Sequence, residues 1–362
     1  MTLCAGSAVA ASPQDEFAAL YLEAYERRAR ELGPESERSI RALRDYATLL
    51  LAQDRGSEAL RRLQTLVELA PTSEHVVLLA EAHVTEGDTE GAEALLGRAL
   101  EQRREPETLL RLAEVLEAQA RWDEAEKYYA EAVEERPAAG ALVRLAALLE
   151  ARGASAQAEA GYRQALALQI SAQGEIHPET AAILNNLGLL VAREGRPDEA
   201  ATLVLRALAA YEETVGIETP EAAATLDNLG NILRERGKFP EAERLLRQAL
   251  EVKTSTLGPE HADVAVTLNN LAGVLHLTRR LNQAEPLYRR ALGIQQSALG
   301  EQHPDAAETL YNLGHLLNQQ GKLTEARSAF SEARDIRTAA FGGDDPFAAE
   351  IEAILRRLAS RN

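Results

Sequence analysis

The 362-residue sequence is poor in the residues that form disulfides, metal clusters and aromatic cores. It contains one cysteine, Cys4, which excludes an intramolecular disulfide and any cysteine-based metal cluster. Aromatic residues make up only 4% of the chain, and no stretch is long and apolar enough to span a bilayer. We therefore expect no membrane insertion, and a composition rich in Ala, Leu, Glu and Arg favours an all-helical protein.

Sequence motifs of enzymes are also missing. The chain has no GxGxxG, no Walker loop, no GxSxG and no HExxH. A zinc site would need three or four converging ligands, and the seven histidines show no such convergence. We expect a protein that is not an enzyme and that has no cofactor and no metal, with His177, His261 and His303 serving as turn or cap residues.

The net charge of −18 is spread along the chain without a long block of one sign. Non-specific affinity for nucleic acid comes from cationic contacts to phosphate, so this balance disfavours a nucleic-acid partner. An acidic surface favours solubility and basic partners.

The N-terminus has two interpretations. Residues 3–11 are small and apolar, and Ala8-Val9-Ala10 resembles a signal-peptidase site, but a basic n-region is missing and the apolar run is short. We interpret residues 1–14 as disordered or as the remnant of an export signal. The chain as written is expected to be cytoplasmic; the alternative is a periplasmic or secreted protein, if residues 1–11 end a truncated signal peptide.

A short phrase returns every 42 residues in the second half of the chain. A fixed period of this size indicates one supersecondary unit that buries its apolar face only by stacking on its neighbours. Glu/Gln-Ala pairs, further alanines and glycines share the spacing. The four phrases are Asn185-Asn186-Leu187-Gly188, Asp227-Asn228-Leu229-Gly230, Asn269-Asn270-Leu271-Ala272 and Tyr311-Asn312-Leu313-Gly314.

Each unit is predicted to be a helical hairpin. Leu268, Leu271, Ala272 and Leu275 follow the i, i+3, i+4, i+7 pattern of one helix face, and a second helix follows after a turn. A proline stands before most units, at a position where its missing N–H costs a helix nothing.

Upstream the same pattern shortens to 33 residues, as in the series Ala59, Ala92, Ala125 and Ala158. The spacing predicts eight hairpins, closed at both ends by single capping helices, as stacked repeats require for solubility. The predicted organisation is an N-terminal helix over 15–33, four 33-residue-type repeats over 34–180, four 42-residue-type repeats over 181–346, and a C-terminal capping helix over 347–362.

The spacing of small and large residues in these predicted helices resembles that of the tetratricopeptide repeat over nearly the whole chain. The run from Leu257 to Ala272 and the run from Gln283 to Leu292 resemble the long-form repeats of kinesin light chains and nephrocystin-3-like proteins. The resemblance implies a right-handed α-solenoid with capping helices. It does not extend to the heptad coiled coil that holds the motor in kinesin light chains, so motor attachment is not implied.

The resemblance also implies a peptide-binding groove on the first helices of the long repeats. A recurring mid-helix Asn is a weak helix former, and its amide suits the backbone of an extended peptide. Alternatively, each Asn bonds across to the neighbouring hairpin and holds the repeat spacing. The predicted groove residues are Asn185, Asn186, Asn228, Asn231, Arg234, Asn269, Asn270, His276, Tyr311, Asn312, His315 and Asn318.

We therefore expect a scaffold that binds an extended peptide of a protein partner in the concave groove. One alternative is a structural assembly subunit that uses its convex face or its ends, with Arg356-Arg357 as the candidate contact. Another is a regulatory sensor of a small ligand or signalling peptide. The sequence predicts no oligomeric state and no partner identity.

Overall fold

The computed structural model describes residues 13–359, which form eighteen helices and no strand. The predicted all-α solenoid fold is confirmed. The segment 1–14 lies outside the described residues, except for Pro13 and Gln14, which begin the first helix. No helix in the described part is long and apolar enough to cross a bilayer.

The helices form eight hairpins between two single helices. Each hairpin has a first and a second helix, and helices that follow each other in the chain pack together within each unit. The helices are α1 Pro13–Leu32, α2 Glu37–Ala52, α3 Gly56–Leu69, α4 Ser73–Thr85, α5 Thr89–Gln102, α6 Pro106–Ala118, α7 Trp122–Glu135, α8 Ala139–Ala151, α9 Ser155–Gln173, α10 Pro178–Arg193, α11 Pro197–Thr214, α12 Pro220–Glu235, α13 Phe239–Leu257, α14 Ala262–Leu277, α15 Leu281–Leu299, α16 Pro304–Gln319, α17 Leu323–Phe341 and α18 Pro346–Ala359.

The chain divides into two compact units, which meet in sequence between Ala165 and Leu166, inside α9. In the first unit, the buried core includes Leu43, Leu63 and Tyr129. In the second unit, the first helices α10, α12, α14 and α16 contact one another in chain order. Residues at equivalent positions of these four helices therefore lie along one face of the second unit.

The long repeats begin where local chemistry favours a helix start. His177, His261 and His303 are N-cap residues whose Nδ1 accepts from the backbone N–H two residues later, at 3.4, 3.2 and 3.3 Å. Such caps satisfy N–H groups that have no partner inside the helix. The prediction that these histidines are cap residues is confirmed.

On the first helices of the long hairpins, Gly188, Gly230 and Gly314 face larger residues on the second helices. A Cβ added at Gly188 would lie 2.5 Å from Val204 Cγ2, and one added at Gly314 would lie 2.9 Å from the Phe330 ring. The missing side chains therefore let the two helices approach closely. This packing explains why Gly or Ala recurs in the four-residue phrase that returns every 42 residues.

Candidate functional site

The predicted groove residues lie on the contacting first helices of the second unit. Asn185 and Asn186 are on α10, and the others are spread over α12, α14 and α16. All are half-buried except Asn269, which is buried.

Three of these asparagines bond across to the preceding hairpin. Asn228 Nδ2 donates to Asn185 Oδ1 at 3.1 Å, and Asn312 Nδ2 donates to Asn269 Oδ1 at 3.3 Å. Between them, Asn270 Nδ2 donates to Asp227 Oδ1 at 3.0 Å. In the second, third and fourth phrases, the second residue thus binds the first residue of the phrase before it, which is the structural role considered for the ladder.

The two ends of this ladder differ from its middle. The residue 43 positions before Asn186 is Val143, whose side chain has no acceptor. Tyr311, the last residue of the series, donates its hydroxyl to Glu350 Oε1 on α18 at 2.7 Å. Asp227 departs from asparagine yet still accepts the cross-hairpin bond, whereas Tyr311 ties α16 to the capping helix.

A buried polar cluster surrounds Asp227, which is 2% exposed. Lys253 Nζ on α13 donates to Asp227 Oδ2 at 2.8 Å and to Thr267 Oγ1 at 3.0 Å. Thr267 Oγ1 on α14 in turn donates to the same Asp227 oxygen at 2.7 Å. Lys253 is 5% exposed, so its ion pair with Asp227 is buried, and both members of the pair make further hydrogen bonds. The sequence pattern did not indicate Lys253, because this position belongs to the inner face of a second helix, where apolar residues are expected.

A cavity of about 430 Å³ opens on the first-helix face of α12, α14 and α16. It brings together five predicted groove residues, and it adds residues that the sequence did not single out. The predicted ones are Arg234, His276, Tyr311, Asn312 and His315, and the added ones are Gly273, Leu277, Arg279, Tyr288 and Gln319. The other predicted residues (Asn185, Asn186, Asn228, Asn231, Asn269, Asn270 and Asn318) do not line this cavity.

Both histidines of the cavity are biased toward the neutral imidazole. Burial lowers the pKa of His276 and of His315 from the ordinary value. His276 Nε2 is buried and has no hydrogen bond within residues 13–359. The His315 ring packs edge-on against Tyr311 and Phe330, with ring centroids 4.5 and 5.1 Å apart. Within the described chain, no group of three or more His, Cys, Asp or Glu is arranged to hold a metal ion.

Tyr288 lines the cavity with a side chain that is 1% exposed, and it does not form the tyrosine–glutamate bond found in the first unit. In the first unit, Tyr129 donates to Glu117 at 2.7 Å and Tyr162 donates to Glu150 at 3.1 Å, each over a spacing of 12 residues. The residue 12 positions before Tyr288 is His276, whose ring instead lies edge-on to the tyrosine at 6.4 Å. This shared spacing is the signal that could have identified Tyr288.

Arg234 extends over Gly273, where a side chain would obstruct it. A Cβ built on Gly273 would lie 3.0 Å from Arg234 Nη1 and 3.7 Å from the Tyr288 hydroxyl. Arg234 forms no ion pair within the described residues, and Arg279 Nη1 binds the neutral Gln319 Oε1 at 3.0 Å. The described residues that line the cavity therefore include two guanidinium groups and no carboxylate, although the whole chain carries a charge of −18.

A second cavity of about 530 Å³ shares Tyr311 and Asn312 with the first. Arg337, the one cation among the described residues of its lining, is paired with Asp345 through bonds of 3.0 and 2.7 Å and stacks over Phe341 at 4.0 Å. Its other charged lining residues, Asp305 and Glu308, are acidic. The two neighbouring cavities therefore differ in charge.

The first helices of the first unit carry charged pairs instead of amides. Arg111 Nη1 binds Glu114 at 2.7 Å, and Arg44 Nη1 binds Glu74 at 3.1 Å. Glu114 also lies 3.8 Å from Arg144. These guanidinium groups already have carboxylate partners, in contrast to Arg234.

Sequence models described as tetratricopeptide repeat match most of the chain. One such model matches residues 137–213, 221–297, 263–339 and 305–353, and two others match residues 50–107 and 108–139. No curated protein matches the chain significantly.

Similar solved structures include kinesin light chain-like repeat proteins. BtubC (BKLC) from P. vanneervenii is 29% identical with a TM-score of 0.50, over 67% of this chain and 93% of that one. A putative kinesin light chain of Podosopora anserina with nearly identical TPR-like repeats is 23% identical, with a TM-score of 0.47 over 55% of this chain and 95% of that one. A tetratricopeptide repeat protein from Parabacteroides merdae is 17% identical, with a TM-score of 0.58 over 79% of this chain and 98% of that one.

Proposed function

Because the chain belongs to the tetratricopeptide repeat family, whose members generally mediate protein–protein interactions, we propose that it is a non-enzymatic scaffold for an extended peptide. The peptide lies on the first-helix face of α10, α12, α14 and α16. The partner is a protein, and the net charge of −18 argues against nucleic acid.

The observation that carries this proposal is the state of Arg234. A half-buried guanidinium without a carboxylate partner in residues 13–359 faces a cavity that also holds the Tyr288 side chain and the unpaired His276 Nε2. Polar groups inside proteins normally have partners, and groups that lack one are stabilised by a ligand that supplies it. An acidic side chain of the peptide fits the Arg234 guanidinium, since charge-assisted bonds to guanidinium are strong.

The proposal is tested with a random peptide library displayed on phage, selected against the full chain, followed by fluorescence titration of an enriched peptide. Gly273→Ala is the informative variant, because its new Cβ would lie 3.0 Å from Arg234 Nη1 and would shift the guanidinium without changing any charge. We expect affinity to fall about tenfold, which corresponds to about 1.4 kcal/mol. Helix stability does not fall, since Ala is a better helix former than Gly.

Gly293→Ala is the matched control, because it also lies in a helix and its added Cβ meets nothing within 4 Å. It leaves the affinity unchanged. If no peptide is enriched, or if Gly273→Ala binds as tightly as the wild type, the groove is not the binding site proposed here.

A second candidate function, assembly through an end of the repeat array, is favoured by one observation. Phe17, Leu20 and Tyr21 on α1 are 59, 60 and 42% exposed. The contact suggested by the sequence, Arg356-Arg357, is less available, because Arg356 Nε binds Glu352 and Arg357 Nε binds the Ala353 carbonyl. Sedimentation of wild type and Leu20→Glu distinguishes this function: association that is lost in the variant supports it, and a monomer at all concentrations removes it.

A further inference from the structure

The buried Asp227 is chemically different from the residues at its equivalent positions. Two of those residues are Asn185 and Asn269, whose amides both donate and accept, and the third is Tyr311. We propose that Asp227, held by Lys253, is a positioning residue that fixes the direction of the Asn270 amide and turns its carbonyl oxygen toward the ligand. This inference rests on the proposed peptide-binding function of the same face.

The direction follows from the chemistry of a carboxylate. An ionised Asp has only acceptors, so the Asn270 atom that faces it must be the Nδ2 donor, which lies 3.0 Å from Asp227 Oδ1. Two facing asparagines, such as Asn228 and Asn185, bond equally well with either amide as the donor. Asp227 thus fixes which atom of the facing amide points toward it, whereas the facing asparagines of the neighbouring hairpins allow either orientation.

Lys253 and Thr267 make this arrangement stable. Both donate to Asp227 Oδ2, which leaves Oδ1 for Asn270. A buried carboxylate without a cation would be strongly destabilising, and the 2.8 Å contact to Lys253 Nζ supplies that cation. At the equivalent place between α15 and α16, where the charges are absent, Gln295 Oε1 and Thr309 Oγ1 are buried without a partner in the described chain.

The fixed amide leaves one acceptor for a ligand. Asn270 Oδ1 takes no hydrogen bond within residues 13–359 and is not among their buried unpaired atoms. Asn270 occupies on α14 the position that the cavity-lining Asn312 occupies on α16. The oxygen therefore accepts from a backbone N–H of the bound peptide, and proline or an N-methylated residue is disfavoured at that point.

The test uses the double variant Asp227→Asn/Lys253→Gln, which reproduces the pair Asn269 and Gln295 of the next hairpin. Each single variant leaves a buried charge without its partner and lowers the melting temperature, whereas the double variant recovers most of the loss. The first readout is the side-chain amide spectrum of selectively ¹⁵N-Asn-labelled protein, with the Asn270 signals assigned by Asn270→Ala. We expect one slowly exchanging Asn270 pair in the wild type and two pairs or fast exchange in the double variant.

The second readout is the affinity for a phage-selected peptide and for its N-methylated forms. The double variant binds the unmodified peptide about five- to tenfold more weakly. Methylation of one N–H weakens binding to the wild type but has much less effect on the double variant. A purely structural role would leave both measurements unchanged in a double variant of restored stability.

An Asn270 spectrum that is identical in wild type and double variant overturns the positioning role, whether or not any peptide is found. Selection of a peptide whose affinity is the same for both proteins also overturns it while leaving the peptide-binding function intact. If no peptide is enriched, the proposed function fails, and the spectrum still decides the positioning of Asn270.

Discussion

Gly314 on α16 lies against the ring of Phe330 on α17, and a Cβ at this position would come within 3.0 Å of three ring atoms. Phe330 is fully buried, so it cannot move aside cheaply. We expect Gly314→Ala to lower the free energy of unfolding by about 1–2 kcal/mol, because overpacking outweighs the gain in helix propensity. Gly293→Ala, with open space around it, should raise stability by up to about 1 kcal/mol. Denaturant melts of both variants measure the difference, and an equal shift in the two would contradict the packing argument.

His276 and His315 make stability depend on pH. Burial lowers the pKa of both imidazoles in the fold below the unfolded value of about 6.5, so the unfolded chain binds more protons as the pH falls below that value. Stability from the neutral rings is present above about pH 6.5 and is lost as the pH decreases toward the folded pKa values. Melting temperatures at about pH 7.5 and about pH 5.5 should therefore differ less in His276→Gln/His315→Gln than in the wild type. An unchanged pH dependence in this variant would show that the two rings titrate as freely in the fold as in the unfolded chain.

Residues that act locally were predictable, and residues that act through distant partners were not. The cap histidines and the small residue of each repeat phrase follow from spacing along one helix. The bond between Asn270 and Asp227 joins residues 43 positions apart, and the sequence left open which partner each amide takes. Gly273 was missed because its role depends on where the Arg234 side chain extends, which no periodicity encodes.

At the scale of elements, Glu285 joins α15 to the start of α17. Lys322, the N-cap residue of α17, donates to Glu285 Oε2 at 2.8 Å, and Arg289 donates to Oε1 at 3.0 Å. The bond from Lys322 is the largest influence that lowers the pKa of Glu285, to about 2. A carboxyl with a lowered pKa stabilises the fold above its unfolded pKa, about 4.5, and loses that contribution as the pH falls toward about 2.

We therefore expect Lys322→Gln to destabilise the protein at neutral pH by about 1 kcal/mol. The difference between variant and wild type should shrink as the pH is lowered from about 5 to about 2, where Glu285 becomes protonated in both. Denaturant titrations at several pH values provide the measurement. Glu325→Gln is a suitable comparison, because within residues 13–359 Glu325 pairs with one exposed guanidinium, that of Arg289. A destabilisation by Lys322→Gln that stays constant at low pH would contradict the role given to this pair.

At the scale of the whole molecule, each hairpin within a unit packs mainly on its chain neighbours, so the chain should not unfold as one cooperative body. Leu63 is fully buried in the first unit, and Leu63→Ala removes core volume at a cost of about 2–5 kcal/mol. We expect hydrogen exchange to accelerate in α2 to α5 and to remain unchanged in α14 to α17. Exchange followed by mass spectrometry measures both regions at once, and equal acceleration everywhere would indicate a single cooperative unit.

The Asp227–Lys253 pair also bears on how such an array can lengthen by duplication of its own coding sequence. Both charges belong to the same hairpin, α12 with α13. Their hydrogen-bond partners in the following hairpin are a threonine and an asparagine. The following hairpin supplies Thr267 and Asn270, and the same two residue types recur at Thr225 with Asn228 and at Thr309 with Asn312. A copy of α12 and α13 placed before any of these hairpins would therefore contain both members of the ion pair. The following hairpin would supply the threonine acceptor and the asparagine donor. Buried charge, which usually ties a segment to one location, is here compatible with a transferable module.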